Sequence, residues 1–258
     1  MNKNDWGIKI FVLAMVNSIF LFSNQSFAVF SEEILTDPHL LRNVVQLGNN
    51  DFSCTGFFID KHTVLTAAHC VEDEKGKKNP TMILQFGASG DKVENLLEIG
   101  FSQSSKTKSP GEDVAFVSPF QGLTQQSPQY LTTIEPLQIE NSNNFSSEDE
   151  VCVVGIGESE KLSGPQALRI RCGLRAGIAP GGIIFISDPV TSSQINGPGD
   201  SGGPVLKKYP NGTYKVIGIL SLGPQKKLSG LFGLSSIATN LLIGPAKDWL
   251  NKKWFPSN

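Results

Sequence analysis

The chain has 258 residues, with 22 Lys and Arg against 24 Asp and Glu, which gives a formal net charge of −2. This balance provides no positive field for a polyanion and argues against nucleic acid as the main partner. With 39% hydrophobic residues the composition is not that of a disordered chain, and four Cys are too few for a disulfide-rich scaffold.

The first 28 residues are predicted to be a secretory signal peptide. Lys3 and Lys9 form a weakly basic start, Ile10–Phe22 is almost entirely apolar, and Ser26–Ala28 has the small residues of a cleavage site. A membrane anchor is the alternative, but the apolar stretch is shorter than the ~20 residues that a spanning helix needs. We therefore expect a secreted or periplasmic protein without stable membrane insertion, in a compartment that permits disulfides.

The rest of the chain alternates short β-branched or aromatic runs with clusters of Gly, Pro, Asn and Ser. This alternation is typical of an all-β barrel or sandwich. The predicted strands are Asn43–Leu47, Thr55–Ile59, Thr81–Phe86, Val114–Val117, Val151–Ile156, Ile183–Ile186, Tyr214–Leu222 and Leu231–Ile237. Helical spacing of apolar residues occurs only at Ala246–Trp254, after the helix-compatible Pro245.

Two polar stretches, Gln121–Gln129 and Asn141–Glu150, flank Ile134–Ile139. We interpret this region as the crossing between two β domains. The predicted units are therefore residues 29–140 and residues 141–258.

Three separated segments carry residues suited to hydrolysis. Thr66–Cys70 reads Thr-Ala-Ala-His-Cys, Glu112–Phe116 places Asp113 before an apolar run, and Gly199–Pro204 reads Gly-Asp-Ser-Gly-Gly-Pro. Singly, they are compatible with a packed His, a solvated carboxylate and a glycine turn. Together they provide a serine nucleophile, a base, an acid that orients the base, and glycines whose N–H groups are open to an oxyanion.

The order of these residues along the chain separates the classes of serine hydrolase. Gly199–Gly203 also fits the nucleophile elbow of an α/β-hydrolase, but that fold has its His after the Ser. The His residues of this chain all precede the Ser, at positions His39, His62 and His69. The order Asp, His, Ser could use Asp51 or Asp60, which occupy ordinary turn and strand-end positions. The order that remains is His, Asp, Ser.

The chain resembles the chymotrypsin/trypsin family of serine endopeptidases. The resemblance is carried by its Thr-Ala-Ala-His-Cys and Gly-Asp-Ser-Gly-Gly-Pro motifs and by their spacing to Asp113. The resemblance implies an all-β fold of two packed antiparallel six-stranded barrels, with the active site in the cleft between them and a short C-terminal helix. It implies hydrolysis of protein or peptide substrates through an acyl-enzyme, without a cofactor or a metal.

The same resemblance assigns the site residues. Ser201 would be the nucleophile, His69 the general base and then acid, and Asp113 the buried group that orients His69. The N–H groups of Gly199 and Ser201 would form the oxyanion hole. A protein inhibitor is a further candidate partner, and we expect a monomer.

The four Cys are assigned in two steps. Cys54 and Cys70 match the family's histidine-loop disulfide. Cys152 lacks its usual family partner, and Cys172, which would lie on the adjacent strand of a hairpin, is the remaining candidate. Two free thiols are the alternative for this second pair.

Activation departs from the family pattern. The chain has no Lys or Arg between Lys9 and Arg42 that could serve as the usual zymogen cleavage site. Signal cleavage would expose Val29 near the family's mature start, so we predict that the Val29 ammonium pairs with Asp200 and that no propeptide is needed. A cut after Glu33 is the alternative.

In the family that the chain resembles, the base of the specificity pocket lies six residues before the nucleophile, and the resemblance therefore implies Ile195 at this position. Ser221, Leu222 and Gly223 would form a wall. Cleavage after Arg or Lys needs a carboxylate at the base, and Asp188 is too far upstream. An apolar base favours a hydrophobic or small residue before the scissile bond, because an unpaired cation would be costly to bury.

A catalytically inactive homologue that acts as a binding protein is the alternative function. Such homologues usually lack one member of the triad, whereas this chain contains His69, Asp113 and Ser201. The complete set favours an active endopeptidase.

Overall fold

The computed structural model describes twelve stretches of the chain: residues 34–48, 53–72, 78, 82–86, 92–105, 111–119, 134–141, 145–146, 149–156, 168–190, 195–222 and 236–253. The predicted signal peptide, Val29, Gly223 and Trp254 lie outside the described residues.

Six antiparallel strands among the described residues form a first closed barrel, in the order β1-β2-β3-β6-β5-β4. A short helix, α1, precedes β1, and a single helical turn, α2, follows β3. The elements are α1 Pro38–Asn43, β1 Val44–Gly48, β2 Ser53–Asp60, β3 Thr63–Thr66, α2 Ala68–Val71, β4 Met82–Phe86, β5 Lys92–Ser104 and β6 Ala115–Pro119.

A second closed barrel follows, with six described strands in the order β7-β8-β9-β12-β11-β10. Its connectivity therefore repeats that of the first barrel. The elements are β7 Glu150–Gly155, β8 Arg169–Ala179, β9 Ile183–Ser187, β10 Pro204–Lys208, β11 Tyr214–Leu222, β12 Ser236–Asn240 and the C-terminal helix α3 Pro245–Lys253. The predicted fold of two six-stranded barrels and a short C-terminal helix is confirmed.

Strand β7 shows how one strand serves both the barrel interior and the barrel interface. Its side chains alternate between two buried apolar clusters, with Val151 and Val153 in one and Cys152 and Val154 in the other. The second of these clusters also contains residues of the first barrel, such as Phe57. Because successive side chains of a strand point to opposite faces, β7 is buried on both sides. The near-continuous apolar run Val151–Ile156 follows from this position.

Every predicted strand overlaps an observed one, but four observed strands and the two short helices α1 and α2 were not predicted. β3 has only four residues, β10 begins with a proline, and β5 and β8 contain many polar residues. Helix α1 is also short, and its start is set by Asp37, whose carboxylate accepts hydrogen bonds from the backbone N–H groups of His39 and Leu40. Short or mixed segments such as these take their structure from their neighbours in the barrel.

The segment between the barrels is hydrogen-bonded to both of them. Leu137 N donates to Phe58 O of β2 at 2.9 Å, and Glu140 N donates to Val216 O of β11 at 2.8 Å. Val216 N donates in turn to Gln138 O at 2.9 Å. Residues 137–140 therefore tie the first barrel to the second through the backbone.

Helix α3 returns from the end of the second barrel to the first. The Trp249 ring stacks on the Phe116 ring of β6, with centroids 4.7 Å apart and an interplanar angle of 26°. Ala246 and Leu250 on the same helix are buried. Within the described ranges, no helix is long and apolar enough to cross a bilayer.

Both predicted disulfides are present. Cys54 of β2 is bonded to Cys70 of α2, and Cys152 of β7 is bonded to Cys172 of β8. The second bond lies at a bulge, where β8 has one residue more than β7 and Gly173 has a φ of 75°.

Candidate active site

His69 and Asp113 are brought together by the pairing of β3 with β6. Thr66, the last residue of β3, lies opposite Ala115, the first residue of β6. Because the two strands are antiparallel, the residues that follow β3 and those that precede β6 meet at the same end of the barrel. His69 lies just after β3 and Asp113 just before β6.

The Asp113 carboxylate holds His69 in two ways. Asp113 Oδ2 lies 2.6 Å from His69 Nδ1, and Asp113 Oδ1 accepts a hydrogen bond from the His69 backbone N–H at 3.0 Å. Asp113 is fully buried, whereas the His69 side chain is 34% exposed. A carboxylate beside Nδ1 favours the tautomer with its proton on Nδ1, which leaves Nε2 able to accept a proton.

The second barrel provides a further hydrogen bond to Asp113. Ser221 Oγ, on β11, donates to Asp113 Oδ2 at 2.6 Å, and Ser221 is itself buried. A buried carboxylate is costly unless it is hydrogen-bonded, and Ser221 helps to meet that requirement across the interface between the barrels.

Backbone contacts also fix the turn that carries Asp113. Ser105 N donates to Val114 O at 2.9 Å, and the Ser105 hydroxyl donates to Glu112 O. Val114 N donates to Glu112 O at 2.8 Å. Ser105 thus contacts the residues on both sides of Asp113.

Two glycines shape the backbone around Ser201. Gly199 and Gly202 have φ values of 93° and 87°, in the region that side chains rarely adopt. A Cβ on Gly202 would also collide with Thr55 O and with Thr66 Oγ1 in the first barrel. Only glycine allows this close approach of the Ser201 loop to β2 and β3.

The Ser201 loop is hydrogen-bonded to both barrels. Ser201 O accepts from Thr55 N of β2 at 2.7 Å. Gly202 N donates to Leu220 O at 2.7 Å, and Leu220 N donates to Gly203 O at 2.8 Å. Since Leu220 directly precedes Ser221, the strand that anchors the Ser201 loop also contacts Asp113.

Asp200 is fully buried beside the serine. Its Oδ2 accepts a hydrogen bond from Gly197 N at 2.8 Å, and its Oδ1 lies against Gly155, where a Cβ would collide with it. Its predicted partner, Val29, lies outside the described residues.

Ile195, the predicted pocket base, is fully buried in the apolar cluster that contains Leu220 and Ala238. Of the predicted wall, Ser221 contacts Asp113 as described, Leu222 lies opposite Ile237 of β12, and Gly223 lies outside the described residues. The assignment of Ser221 to the pocket wall did not predict its hydrogen bond to Asp113.

The Asp188 carboxylate is bound by other residues of the chain. Its Oδ2 binds the Arg171 guanidinium, and its Oδ1 accepts a hydrogen bond from Val190 N at 2.7 Å. Both members of this ion pair are largely buried.

A comparison with known protein families gives a match to the model described as Trypsin over residues 36–241. This match covers most of the chain and includes His69, Asp113 and Ser201. The chain belongs to the trypsin family. The resemblance seen in its motifs is thereby confirmed at the level of the family.

One curated relative is the phenoloxidase-activating enzyme 1 of Spodoptera litura. It is 24% identical to this trypsin-family chain over 247 residues, which cover 82% of the chain and 61% of the relative. The chain thus spans about three fifths of the length of this relative.

Two groups of side chains in the described part of the chain have the proximity that a metal site needs. One consists of Cys54, His69 and Cys70, and the other of Glu150, Cys152 and Cys172. In both, the sulfur atoms are joined in disulfides, so they offer no thiolate to a metal. Neither group has the donor set of a metal site in this trypsin-family protein.

Ser221 and Ser105 are among the residues that contact the Asp113 turn and that the sequence did not identify. Ser221 was assigned to the pocket wall alone, and Ser105 was not singled out. Neither lies in a distinctive motif, so the signal that identifies them is the contact itself in the folded chain.

Proposed function

We propose that this trypsin-family protein is a secreted serine endopeptidase that acts through His69, Asp113 and Ser201. The observation that carries the proposal is the 2.6 Å contact between His69 Nδ1 and Oδ2 of the fully buried Asp113. A buried carboxylate on Nδ1 orients the imidazole and stabilises the imidazolium that forms when Nε2 takes up a proton.

The chemistry follows the two halves of an acyl transfer. Ser201 Oγ attacks the peptide carbonyl as His69 Nε2 takes the hydroxyl proton, and His69 then gives that proton to the departing amine. Water attacks the resulting Ser201 ester while His69 takes its proton, and His69 then gives that proton to Ser201 Oγ as the ester bond breaks and the acid product leaves. Asp113 stays ionised throughout.

The negative charge on the carbonyl oxygen needs two preorganised N–H donors, for which we propose Gly199 and Ser201. Support comes from the positive φ of Gly199 and from the bonds that attach the Ser201 loop to Thr55 and Leu220. Preorganised donors of this kind stabilise the transition state without reorganisation during the reaction.

We also propose that Val29 is the mature N-terminus and pairs with Asp200. Ile34 forms an isolated bridge with Arg169, and Arg169 lies opposite Gly155, which contacts the Asp200 carboxylate. Two strand spacings separate Ile34 from Gly155, about 10 Å. The five residue-to-residue steps from Val29 to Ile34 can span about 16 Å, which is enough for the ammonium to reach Asp200. N-terminal sequencing of the secreted protein should return Val29, and a start at Ile34 would contradict the proposal.

The proposed preference is for hydrophobic or small residues before the scissile bond rather than Arg or Lys. Ile195 belongs to an apolar cluster, and the Asp188 carboxylate is bound to Arg171 instead of being available to a substrate cation. Profiling with a peptide library should give cleavage after apolar residues. Predominant cleavage after Arg or Lys would refute this pocket assignment.

Secretion is supported by the two disulfides, which form and persist in oxidising compartments, and by the predicted signal peptide in residues 1–28. Fractionation of cells that express the full chain should place the processed protein outside the cytoplasm. Unprocessed protein in the cytoplasm would contradict this part of the proposal.

The central test is labelling of the secreted protein with a fluorophosphonate, which reacts only with an activated serine. We expect stoichiometric labelling of Ser201, its loss in Ser201→Ala, and no change in the matched control Ser146→Ala, which removes an exposed serine. Absence of labelling in the wild-type protein would favour the inactive homologue.

A further inference from the structure

Thr55 occupies a position at which the two barrels meet behind the candidate active site. It lies on β2, directly after the disulfide-bonded Cys54, and is fully buried. Its side chain points from the first barrel toward the loop that carries Ser201, as its contacts show.

The Thr55 hydroxyl makes two hydrogen bonds, both to the second barrel. Its Oγ1 donates to Gly199 O at 2.8 Å and accepts from Ile156 N at 3.3 Å. The Thr55 backbone adds two more contacts, since its N–H donates to Ser201 O at 2.7 Å and its carbonyl accepts from Thr66 Oγ1 at 2.8 Å.

These contacts bear on the orientation of Gly199. A glycine with a φ of 93° has no side chain to restrict rotation of its two peptide groups, so neighbouring hydrogen bonds have to fix them. The Thr55 hydroxyl fixes the carbonyl of Gly199, on the C-terminal side of the residue whose N–H is proposed to bind the oxyanion. The same hydroxyl accepts a hydrogen bond from the backbone N–H of Ile156, the residue after β7, and so links the Gly199 carbonyl to the end of that strand.

A hydroxyl has one donor and two acceptor sites, which suits this position better than any apolar side chain. Valine has nearly the same shape as threonine but would leave Gly199 O and Ile156 N without this partner in a buried setting. Unsatisfied buried groups cost more than the net gain of the bonds they lose, so the loop would move to recover hydrogen bonds.

We propose that Thr55 is a positioning residue for peptide hydrolysis: its hydroxyl holds the carbonyl of the Gly199–Asp200 peptide and so restricts the rotation at Gly199 that sets the direction of the Gly199 N–H in the oxyanion hole. The inference rests on the proposed function. It adds a residue of the first barrel that acts on the nucleophile loop of the second.

The test compares Thr55→Val with the wild-type protein in turnover and in hydrogen exchange. We expect kcat to fall about tenfold with KM changed less than twofold, because the Gly199 N–H contributes chiefly in the transition state. The affinity for a peptide boronate, which forms a tetrahedral adduct at the serine, should fall by the same factor. Amide exchange of Ile156 should accelerate at least tenfold.

Two further variants separate positioning from general loss of stability. Thr55→Ser keeps the hydroxyl and should retain at least half of the wild-type kcat. Thr63→Val removes another buried threonine of the first barrel, at the start of β3, and should leave kcat unchanged. If Thr55→Val does not fold, the comparison of Thr55→Ser with Thr55→Ala still reports on the hydroxyl.

The results separate failure of this inference from failure of the proposed function. A wild-type protein that neither turns over peptides nor reacts with a fluorophosphonate would refute the function, and exchange at Ile156 would then still test the Thr55 contact. Wild-type kcat in Thr55→Val, a loss confined to KM, or unchanged exchange at Ile156 would each overturn the role of Thr55.

Discussion

The two barrels share one strand order but contribute to the candidate site in different ways. In the first barrel, His69 and Asp113 lie at the ends of two directly paired strands, and their contact is internal to that barrel. In the second barrel, Ser201 lies on a loop between β9 and β10 that is bonded to Thr55 and Leu220. The contact between His69 and Asp113 is thus made within one barrel, with Ser221 of the other barrel as a further hydrogen-bond partner of Asp113, whereas the Ser201 loop is held by contacts with both barrels.

The disulfides follow the same division. Cys54–Cys70 joins β2 to the helical turn that carries His69, with a sequence separation of 16 residues. Cys152–Cys172 joins two adjacent strands, with a separation of 20 residues. The two bonds close loops of similar length, but only the loop closed by Cys54–Cys70 contains His69.

The largest expected effect is that of Asp113→Asn, which tests the pair internal to the first barrel. The amide cannot stabilise an imidazolium and favours the wrong tautomer of His69, so kcat should fall by about 10⁴. Turnover of a chromogenic ester measures the change, and urea unfolding serves as the folding control. A loss of less than tenfold would show that the contact between His69 and Asp113 does not support catalysis.

Removal of each disulfide tests the contrast between the barrels directly. The chain-entropy model gives each double Cys→Ala variant a loss of about 3 kcal/mol in unfolding free energy, because the loops are similar in length. We expect kcat to fall at least tenfold for the Cys54 and Cys70 pair and to change less than twofold for the Cys152 and Cys172 pair. Urea unfolding measures the unfolding free energy, and ester turnover divided by the active-site concentration from titration measures kcat. Equal losses of kcat in the two double variants would contradict the different contributions of the two barrels to the site.

Trp249→Ala tests the attachment of the C-terminal helix to the first barrel. It removes the ring that stacks on Phe116 and should lower the unfolding free energy by about 2 kcal/mol, less than for a fully buried Trp because Trp249 is half-buried. Asn251→Ala, at an exposed position of the same helix, is the matched control and should change stability little. If the two variants unfold at the same urea concentration, α3 does not stabilise the contact between the barrels.

The smallest expected effect concerns a charged pair at the edge of the second barrel. Asp149 Oδ2 lies 2.6 Å from Lys207 Nζ. Partial burial raises the pKa of Asp149, but the hydrogen bonds from Lys207 and Ser146 and the Lys207 charge together lower it below its usual value. A lowered pKa means stabilisation that is present above about pH 4 and lost as the pH falls through the folded-state pKa.

A double-mutant cycle of Asp149→Asn and Lys207→Met measures this pair. The coupling in unfolding free energy should be at most about 1 kcal/mol at pH 7 and should decrease toward pH 2, as the carboxylate takes up a proton. Coupling that stays constant between these pH values would exclude the charge as its source.

Family and fold were predictable because they depend on features that are local in the chain. The motifs around His69 and Ser201, together with the order His, Asp, Ser, indicated the family, and the apolar runs of strands such as β1 and β11 indicated an all-β fold. β3, β5, β8 and β10 were not predictable, because short or polar segments become strands through the hydrogen bonds and burial that their neighbours provide.

The motifs alone supplied the residue types for a nucleophile, a base and an acid, because reactive side chains and the glycines beside them can be identified from the sequence. Tertiary structure decided which other groups touch them. Ser221 reaches Asp113, and Thr55 reaches Gly199, across separations of 108 and 144 residues. Contacts over such distances depend on how two closed barrels pack, and no local pattern in the chain encodes that arrangement.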